Sequence, residues 1–136
     1  MSRDGDSRTL VVGAAVLRDG RVLAARRRRP AGFWEFPGGK CESGEEAVAA
    51  LHRELAEELG LSVELVCEVV PDGGGSWPIN DELHLRVWLA KPLGVPSPGP
   101  DHDQLRWLRP DDLGTVEWLP ADVPVAARIA HLLEDR

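Results

Sequence analysis

At 136 residues the chain has the length of one domain and can bury a core of ordinary size. Its net charge of −7 argues against a nucleic-acid polymer as partner, because proteins that bind polyanions usually carry a basic surface. We see no apolar run of membrane length and no secretory pattern, and the two cysteines, Cys41 and Cys67, do not suggest a disulfide framework. We therefore expect a cytoplasmic, globular protein that does not bind membranes.

The N-terminal part predicts a β-hairpin. Residues 1–8 are polar, and we expect them to be frayed or disordered, so that a single domain covers residues 9–136. Residues 9–17 are rich in Leu, Val and Ala and predict a strand. Asp19-Gly20 is a strong turn signal, and residues 21–27 then predict the return strand. Pro30 and Gly32 indicate a loop after it.

One helix is predicted before Gly60. Ser43 suits its N-cap position, and Glu46, three residues later, would complete a capping box. An apolar stripe at helical spacing predicts the buried side, formed by Val48, Leu51, Leu55 and Leu59. Gly60 suits the position that ends a helix in a left-handed conformation.

The C-terminal half predicts further strands and a second helix. Residues 62–70 and 82–90 predict strands, and the second of these alternates with Leu83, Leu85, Val87 and Leu89 on one side. A glycine-rich loop is expected at residues 72–75, a proline-rich loop at residues 91–100 and a short strand at residues 105–108. A last helix is expected from Asp122 or Val123 to about Leu133. Strands mixed with two helices predict an α/β or α+β domain.

Three glutamates on the first helix carry the chemistry. Glu54, Glu57 and Glu58 lie three and four residues apart, a spacing that places them on one helix face. Like charges so close disfavour the helix unless something compensates, and a hard divalent cation is the simplest candidate. The cluster therefore suggests metal-assisted attack of water on a phosphate anhydride. On an arbitrary helix, a solvated acidic face would be the better interpretation.

The surrounding residues resemble the Nudix box. That pattern is a glycine, five residues, a glutamate, seven residues, and then Arg-Glu-aliphatic-x-Glu-Glu-x-Gly-aliphatic. Its nine defined positions are filled here by Gly39, Glu45, Arg53, Glu54, Leu55, Glu57, Glu58, Gly60 and Leu61. The preceding run Trp-Glu-Phe-Pro-Gly-Gly is similar to the MutT-type branch, which acts on nucleoside triphosphates. The resemblance implies an α/β/α sandwich with a mixed β-sheet.

The resemblance also implies roles for the residues of the box. Glu57 and Glu58 match the central metal ligands, and Glu54 matches a position that binds metal or orients the water. The carbonyl group of Gly38 would complete the coordination of Mg²⁺, for which Mn²⁺ can substitute. Gly39, Glu45 and Arg53 would support the site, with Arg53 holding a glutamate in ligand geometry.

Two positions outside the box are candidates for phosphate binding and for the general base. In MutT-like relatives an arginine near position 27 contacts substrate phosphates, and Arg27 is the favoured member of the run from Arg26 to Arg29. Many Nudix proteins carry a distal Glu-His-x-Glu, which this chain replaces with Asp101, His102, Asp103 and Gln104. Asp101 is the candidate catalytic carboxylate, with Asp103 or Glu82 as substitutes. His102 is interpreted as a hydrogen-bonding loop residue.

Three residues are candidates for contact with the base. In MutT-type relatives the position of Asp122 reads the base edge, and an aspartate there is similar to the cytidine-triphosphate branch. Its carboxylate could accept from the cytosine amino group, or equally from guanine N1–H and N2–H₂. Asp122 could also cap the last helix, with Pro124 just inside it. Trp34 and Phe36 would flank a stacked base or fill the core.

We therefore expect a metal-dependent Nudix pyrophosphohydrolase that converts a nucleoside triphosphate to the monophosphate and pyrophosphate. A (d)CTP-type nucleotide is the preferred substrate, and 8-oxo-dGTP is the alternative. A nucleotide-binding sensor without turnover and a hydrolase of nucleotide sugars such as ADP-ribose are the other hypotheses. The partner is a small nucleotide, and the protein is expected to be a monomer or a homodimer.

Overall fold

The fold is a mixed β-sheet with one long helix on each face. A computed structural model describes residues 7–134, so most of the segment expected to be frayed, residues 1–6, lies outside the described residues. The strands are β1 (Thr9–Arg18), β2 (Arg21–Arg27), β3 (Trp34–Glu35), β4 (Gly38–Lys40), β5 (Val63–Val69), β6 (Trp77–Pro78), β7 (Leu83–Pro92) and β8 (His102–Leu108). The helices are α1 (Ala47–Leu59) and α2 (Val123–Glu134), and two short 3-10 turns, Pro110–Thr115 and Pro120–Asp122, precede α2.

Strand β1 organises the sheet. It runs parallel to β7 from Thr9↔Leu83 to Val16↔Ala90, and it pairs antiparallel with β2 and with β4. The order β3-β2-β1-β7-β5 is completed by β8 beside β2 and β6 beside β7. The hairpin predicted around Asp19-Gly20 is present, and both turn residues have positive φ, as tight turns of this kind require.

Two hydrophobic cores lie on opposite faces of the sheet. On β7, Leu85, Val87 and Leu89 pack in the core that contains α2, whereas Trp88 and Ala90 pack in the core that contains α1. The predicted alternation of β7 is therefore present, but its other face is buried as well, because β7 lies inside a sheet covered on both sides. The predicted α/β/α sandwich with a mixed sheet is confirmed.

Helix α1 begins later than the sequence suggested. Glu46, not Ser43, occupies the N-cap position, and it makes no side-chain capping bond. The side chain of Glu45 instead accepts a hydrogen bond from the Glu42 amide, which keeps the preceding residues in a turn. Val48 is 41% exposed and Ala50 takes its place in the core, so the predicted stripe is correct only for its last three leucines.

The end of α1 agrees with the prediction. Gly60 adopts the left-handed conformation with φ 60°, and its amide donates to the Ala56 carbonyl. The next amide, of Leu61, donates to the Leu55 carbonyl. This capping motif satisfies carbonyl groups that the helix leaves free. Within residues 7–134, neither helix is long and apolar enough to span a membrane.

Candidate active site

The Nudix-like loop and helix meet β1 at a close contact between backbones. Gly38 pairs with Gly13 across β4 and β1, and an added Cβ at Gly38 would collide with the Val12 carbonyl oxygen. Gly39 is held just as closely from the other side, where an added Cβ would lie 2.5 Å from Oε2 and 2.6 Å from Oε1 of Glu54. At Gly38 the obstructing atoms are backbone, so only glycine fits there, whereas at Gly39 the obstructing atoms belong to the Glu54 side chain, which would have to move aside.

Arg53 ties the loop to the helix. Its Nε and Nη2 donate to both carboxylate oxygens of Glu45, at 2.8 and 2.9 Å, and Nη2 also donates to the Lys40 carbonyl at 3.1 Å. Its Nη1 reaches Glu54 at 3.1 Å and Glu57 at 3.3 Å. The predicted hydrogen bond between Arg53 and a glutamate of the cluster is therefore present. The hydrogen bond from Arg53, with help from the Glu42 amide, lowers the pKa of Glu45 to about 2.

The three glutamates of α1 differ in their surroundings. The Glu57 side chain is 59% exposed, whereas the Glu54 side chain is 16% exposed and packs against Gly39. Glu58 lines the cleft and accepts a hydrogen bond from the Gly38 amide at 3.1 Å. Burial raises the pKa of Glu58 to about 7, and the neighbouring charge of Glu35 adds to this effect, although His102 and the Gly38 amide act against it.

A cleft of about 720 Å³ lies beside these residues. The sequence-predicted residues that line it are Arg27, Phe36, Gly38, Gly39, Glu58, Asp101 and Asp122. Glu35 lines it as well, although the sequence analysis assigned it no role. A sequence signal was available, because Glu35 is an acidic residue between two large aromatic residues.

Asp122 is the most deeply buried carboxyl group of the cleft. It is 7% exposed at the end of a 3-10 turn, directly before α2. Burial raises its pKa to about 8, and the charge of Glu35 contributes in the same direction. The Phe36 amide, which donates a hydrogen bond to it, and the charge of Arg27 oppose the shift. Burial therefore favours the neutral form of this carboxyl group.

The two aromatic candidates are placed differently. Phe36 lines the cleft and stacks on Trp118, with ring centroids 4.5 Å apart. Trp34 is buried in the core on the α2 side, and the guanidinium group of Arg106 covers its ring at 4.9 Å. Of the two, the structure brings only Phe36 to the cleft.

His102 begins β8 and is not a loop residue. Its Nε2 lies 2.7 Å from Oε2 of Glu35, and Oε1 of Glu35 accepts from Nη1 of Arg27 at 3.0 Å. Asp103 is paired with Arg26 at 2.7 Å, outside the cleft lining, whereas Asp101 lies in the lining. Among the carboxylates considered for the distal position, Asp101 is thus the one beside the cleft.

Comparison with known proteins places this geometry in a family. A family model of the NUDIX domain matches residues 7–133. The chain belongs to the Nudix family. It is 42% identical over 127 residues to a Mycobacterium tuberculosis protein provisionally named 8-oxo-dGTP diphosphatase 2, with 91% of this chain and 89% of the relative covered. The Nudix hydrolase predicted from the sequence is confirmed, and so is its identity as an enzyme.

A curated sequence and a solved structure from Escherichia coli are also similar to this Nudix hydrolase. The CTP pyrophosphohydrolase of strain K12 is 35% identical over 121 residues, with 85% of this chain and 86% of the relative covered. The solution structure of the E. coli ORF135 protein superimposes with a TM-score of 0.83 at 30% identity, covering 100% of this chain and 98% of that one. The Nudix fold is therefore shared across the residues that the structure describes.

Nudix hydrolases generally use divalent metal ions. The donor chemistry here fits a hard cation, because Glu54 and Glu58 bring carboxylate oxygens against the backbone of Gly39 and Gly38. In the conformation described for residues 7–134, no three His, Cys, Asp or Glu side chains converge as a ligand set. Arg53 engages Glu54 and Glu57, and the Gly38 amide engages Glu58. Rotation of side chains would be needed to bring the oxygens together.

Proposed function

We propose that this Nudix hydrolase cleaves a nucleoside triphosphate to the monophosphate and pyrophosphate, with a cytidine nucleotide such as CTP, dCTP or a 5-modified dCTP preferred. The observation that carries the proposal is the joint lining of one cleft by Asp122, Arg27 and Glu58. In this cleft, Asp122 would contact the base edge, Arg27 would bind the polyphosphate, and Glu58 would contribute a carboxylate to catalysis. The curated relatives, named for 8-oxo-dGTP and for CTP, support the nucleotide class.

The protonation state of Asp122 favours cytosine. With a pKa of about 8, its carboxyl group is mostly neutral below that pH and offers one O–H donor and one carbonyl acceptor. Cytosine presents the matching pair, since N4–H₂ donates and N3 accepts. A guanine edge donates through both N1–H and N2–H₂, and it therefore needs the ionised carboxylate. By the same argument 8-oxo-dGTP is the second candidate, because the ionised carboxylate that its base edge needs is formed at higher pH. The name of the M. tuberculosis relative also supports this candidate.

Glu54, Glu57 and Glu58, together with the Gly38 carbonyl, would hold Mg²⁺, with Mn²⁺ as a substitute. A bound ion supplies Lewis-acid activation of the phosphoryl group and of water. Arg27 would bind phosphate oxygens through its guanidinium group, and Phe36 would contact the base. Asp101 lies beside the cleft and is the candidate general base. Glu45 and Arg53 keep the loop and helix together, and the two free cysteines, Cys41 and Cys67, suit a reducing cytoplasm.

A nucleotide panel tests the substrate. Pyrophosphate release would be measured with Mg²⁺ for CTP, dCTP, 5-methyl-dCTP and 8-oxo-dGTP between pH 6.5 and 8.5. We expect kcat/KM for CTP relative to 8-oxo-dGTP to fall as the pH passes 8. In Asp122→Asn, whose amide does not titrate, the ratio should change from that of the unaltered protein and lose this pH dependence. An unchanged ratio would exclude Asp122 as the base reader.

Glu57→Gln distinguishes an enzyme from a nucleotide-binding sensor. An enzyme should lose at least about 100-fold in kcat, because a metal ligand is removed. The exposed position of Glu57 predicts little change in folding. A sensor has no turnover to lose, so pyrophosphate release at the background rate by the unaltered protein with every nucleotide would favour that hypothesis.

A further inference from the structure

His102 is a fully buried polar residue behind the cleft, where it contacts the lining residue Glu35. Its exposure is 0%, and it lies opposite Arg27 in the register of β8 with β2. The register shifts between Arg26 and Arg27, which indicates a β-bulge at this point. Bulges re-aim side chains and occur often beside active sites. The bulge thus sets Arg27 and His102 side by side at the strand ends that border the cleft.

A chain of hydrogen bonds leads from His102 to the cleft. The imidazole Nε2 of His102 lies 2.7 Å from Oε2 of Glu35, and it donates to that oxygen in the tautomer that carries a proton on Nε2. The other oxygen of Glu35 accepts from Nη1 of Arg27 at 3.0 Å. The Nε of Arg27 donates to the Arg29 carbonyl at 2.7 Å. The guanidinium group is therefore held from two sides, and Glu35 has both oxygens engaged by protein donors.

This arrangement leaves part of the guanidinium group available. A guanidinium group has five N–H donors, and two of them are engaged within residues 7–134. The Arg27 side chain is 36% exposed and lines the cleft. The remaining donors are held in a fixed orientation. Fixing a binding group before the ligand arrives strengthens binding, because less conformational freedom is lost on association.

The position of Glu35 shows why the imidazole is needed. The carboxylate is 13% exposed and lies among acidic neighbours, since Glu58 and Asp122 both experience its charge. A carboxylate in such surroundings is costly without hydrogen-bond donors. His102 is one of its two donors. Without the imidazole, Oε2 of Glu35 would lose its donor, the side chain would turn toward water, and Arg27 would lose the acceptor that orients it.

We propose that His102 is a positioning residue, which acts through Glu35 to orient the Arg27 guanidinium group for the polyphosphate of the substrate. This inference rests on the proposed function in one respect, the binding of a polyphosphate nucleotide in this cleft. His102 itself does not line the cleft. Its effect on nucleotide binding must therefore be transmitted entirely through Glu35 and Arg27.

A double-mutant cycle tests this coupling. Dissociation constants would be measured by calorimetry, with Mg²⁺, for the α,β-methylene analogues of CTP and dGTP. We expect His102→Leu to weaken binding about tenfold, the effect of losing one oriented charge-assisted contact. Arg27→Ala should weaken it by at least as much, and the double variant should bind within about twofold of Arg27→Ala. The proposal would be overturned if His102→Leu weakened binding equally in the unaltered protein and in Arg27→Ala. It would also be overturned if folded His102→Leu bound the analogues as tightly as the unaltered protein.

Conservative variants separate positioning from a merely structural role. His102→Gln retains an N–H near the place of Nε2 and should bind within about threefold of the unaltered protein. His131→Gln removes an exposed histidine of α2 and serves as the matched control, with no change expected. If His102→Leu does not fold, Glu35→Gln replaces it in the cycle with Arg27→Ala. Additive losses there would count equally against the coupling.

The outcomes distinguish this inference from the proposed function. If the unaltered protein binds the analogues and the cycle is non-additive, but no nucleotide releases pyrophosphate, the positioning role stands and the proposed hydrolysis fails. If turnover is observed while the cycle is additive, the hydrolysis stands and the positioning role fails. If the unaltered protein binds neither analogue, the positioning role is overturned as well.

Discussion

Replacing Gly39 with alanine should separate activity from stability. The new Cβ would lie 2.5 Å from Oε2 and 2.6 Å from Oε1 of Glu54, whereas ordinary contacts begin at 3.4 Å. The carboxylate must therefore retreat by roughly 1 Å, a displacement that can cost about 100-fold in catalysis. Because the obstructing atoms are the end of a flexible side chain, the free energy of unfolding should change by less than about 1 kcal/mol.

Gly38→Ala provides the matched comparison. Its added Cβ would collide with the Val12 carbonyl oxygen and would lie 2.7 Å from the Gly13 Cα, and both are backbone atoms of β1. The backbone cannot rotate away, so the pairing of β4 with β1 must open. We expect a loss of about 2–3 kcal/mol in stability together with a loss of activity.

The assay combines urea denaturation with pyrophosphate release for the two variants and the unaltered protein. The expected pattern is a normal denaturation midpoint with low kcat for Gly39→Ala, and a lowered midpoint for Gly38→Ala. If Gly39→Ala keeps kcat within threefold, the contact between Gly39 and Glu54 has no bearing on catalysis. If it is destabilised as much as Gly38→Ala, the assumption that Glu54 can retreat is incorrect.

Three further predictions concern pH and backbone conformation. The pKa of Glu45, lowered to about 2 by Arg53, implies a stabilising contribution that is present above the ordinary value of 4.5 and lost as the pH falls toward 2. The difference in melting temperature between the unaltered protein and Glu45→Gln should therefore close between pH 5 and 2, and a constant difference would contradict this. The raised pKa of Asp122 has the opposite effect on stability. Burial of this group costs little free energy below pH 3.8 and increasingly more as the pH rises to 8. Asp122→Asn should thus gain stability relative to the unaltered protein over that range, as thermal unfolding at several pH values would show. Gly60→Ala should lower stability by about 1 kcal/mol with kcat unchanged, because alanine disfavours the left-handed conformation at the end of α1. An unchanged denaturation midpoint would contradict this prediction.

The local elements of the fold could be read from the sequence where a short-range signal decides them. The turn at Asp19-Gly20 and the helix end at Gly60 depend on the conformational freedom of the residues themselves, and both are present. The start of α1 was misjudged because a long-range contact decides it. Glu45 is bound by Arg53 from the middle of the helix, and no local preference of Ser43 reports that contact.

The motif spacing by itself identified the family, which the match to the NUDIX domain confirms. Glu54, Glu57 and Glu58 at helical spacing, preceded by the glycine loop, are local in the chain, and the pattern is therefore visible without coordinates. The burial of the second face of β7 could not be predicted in the same way. Whether Trp88 is buried depends on α1 packing against that face, which is a property of the whole sandwich.

Only the tertiary structure decided which distant residues meet in the cleft. Trp34 and Phe36 are two residues apart and both lie in the core on the α2 side, yet only Phe36 also lines the cleft, while the guanidinium group of Arg106 covers Trp34. Glu35 and His102 are separated by 67 positions and were joined by no sequence signal, because their contact follows from the pairing of β2 with both β3 and β8. The sequence therefore identified candidate groups, and the folding of the sheet specified their partners, since side chains distant in the chain meet only through strand register and helix packing.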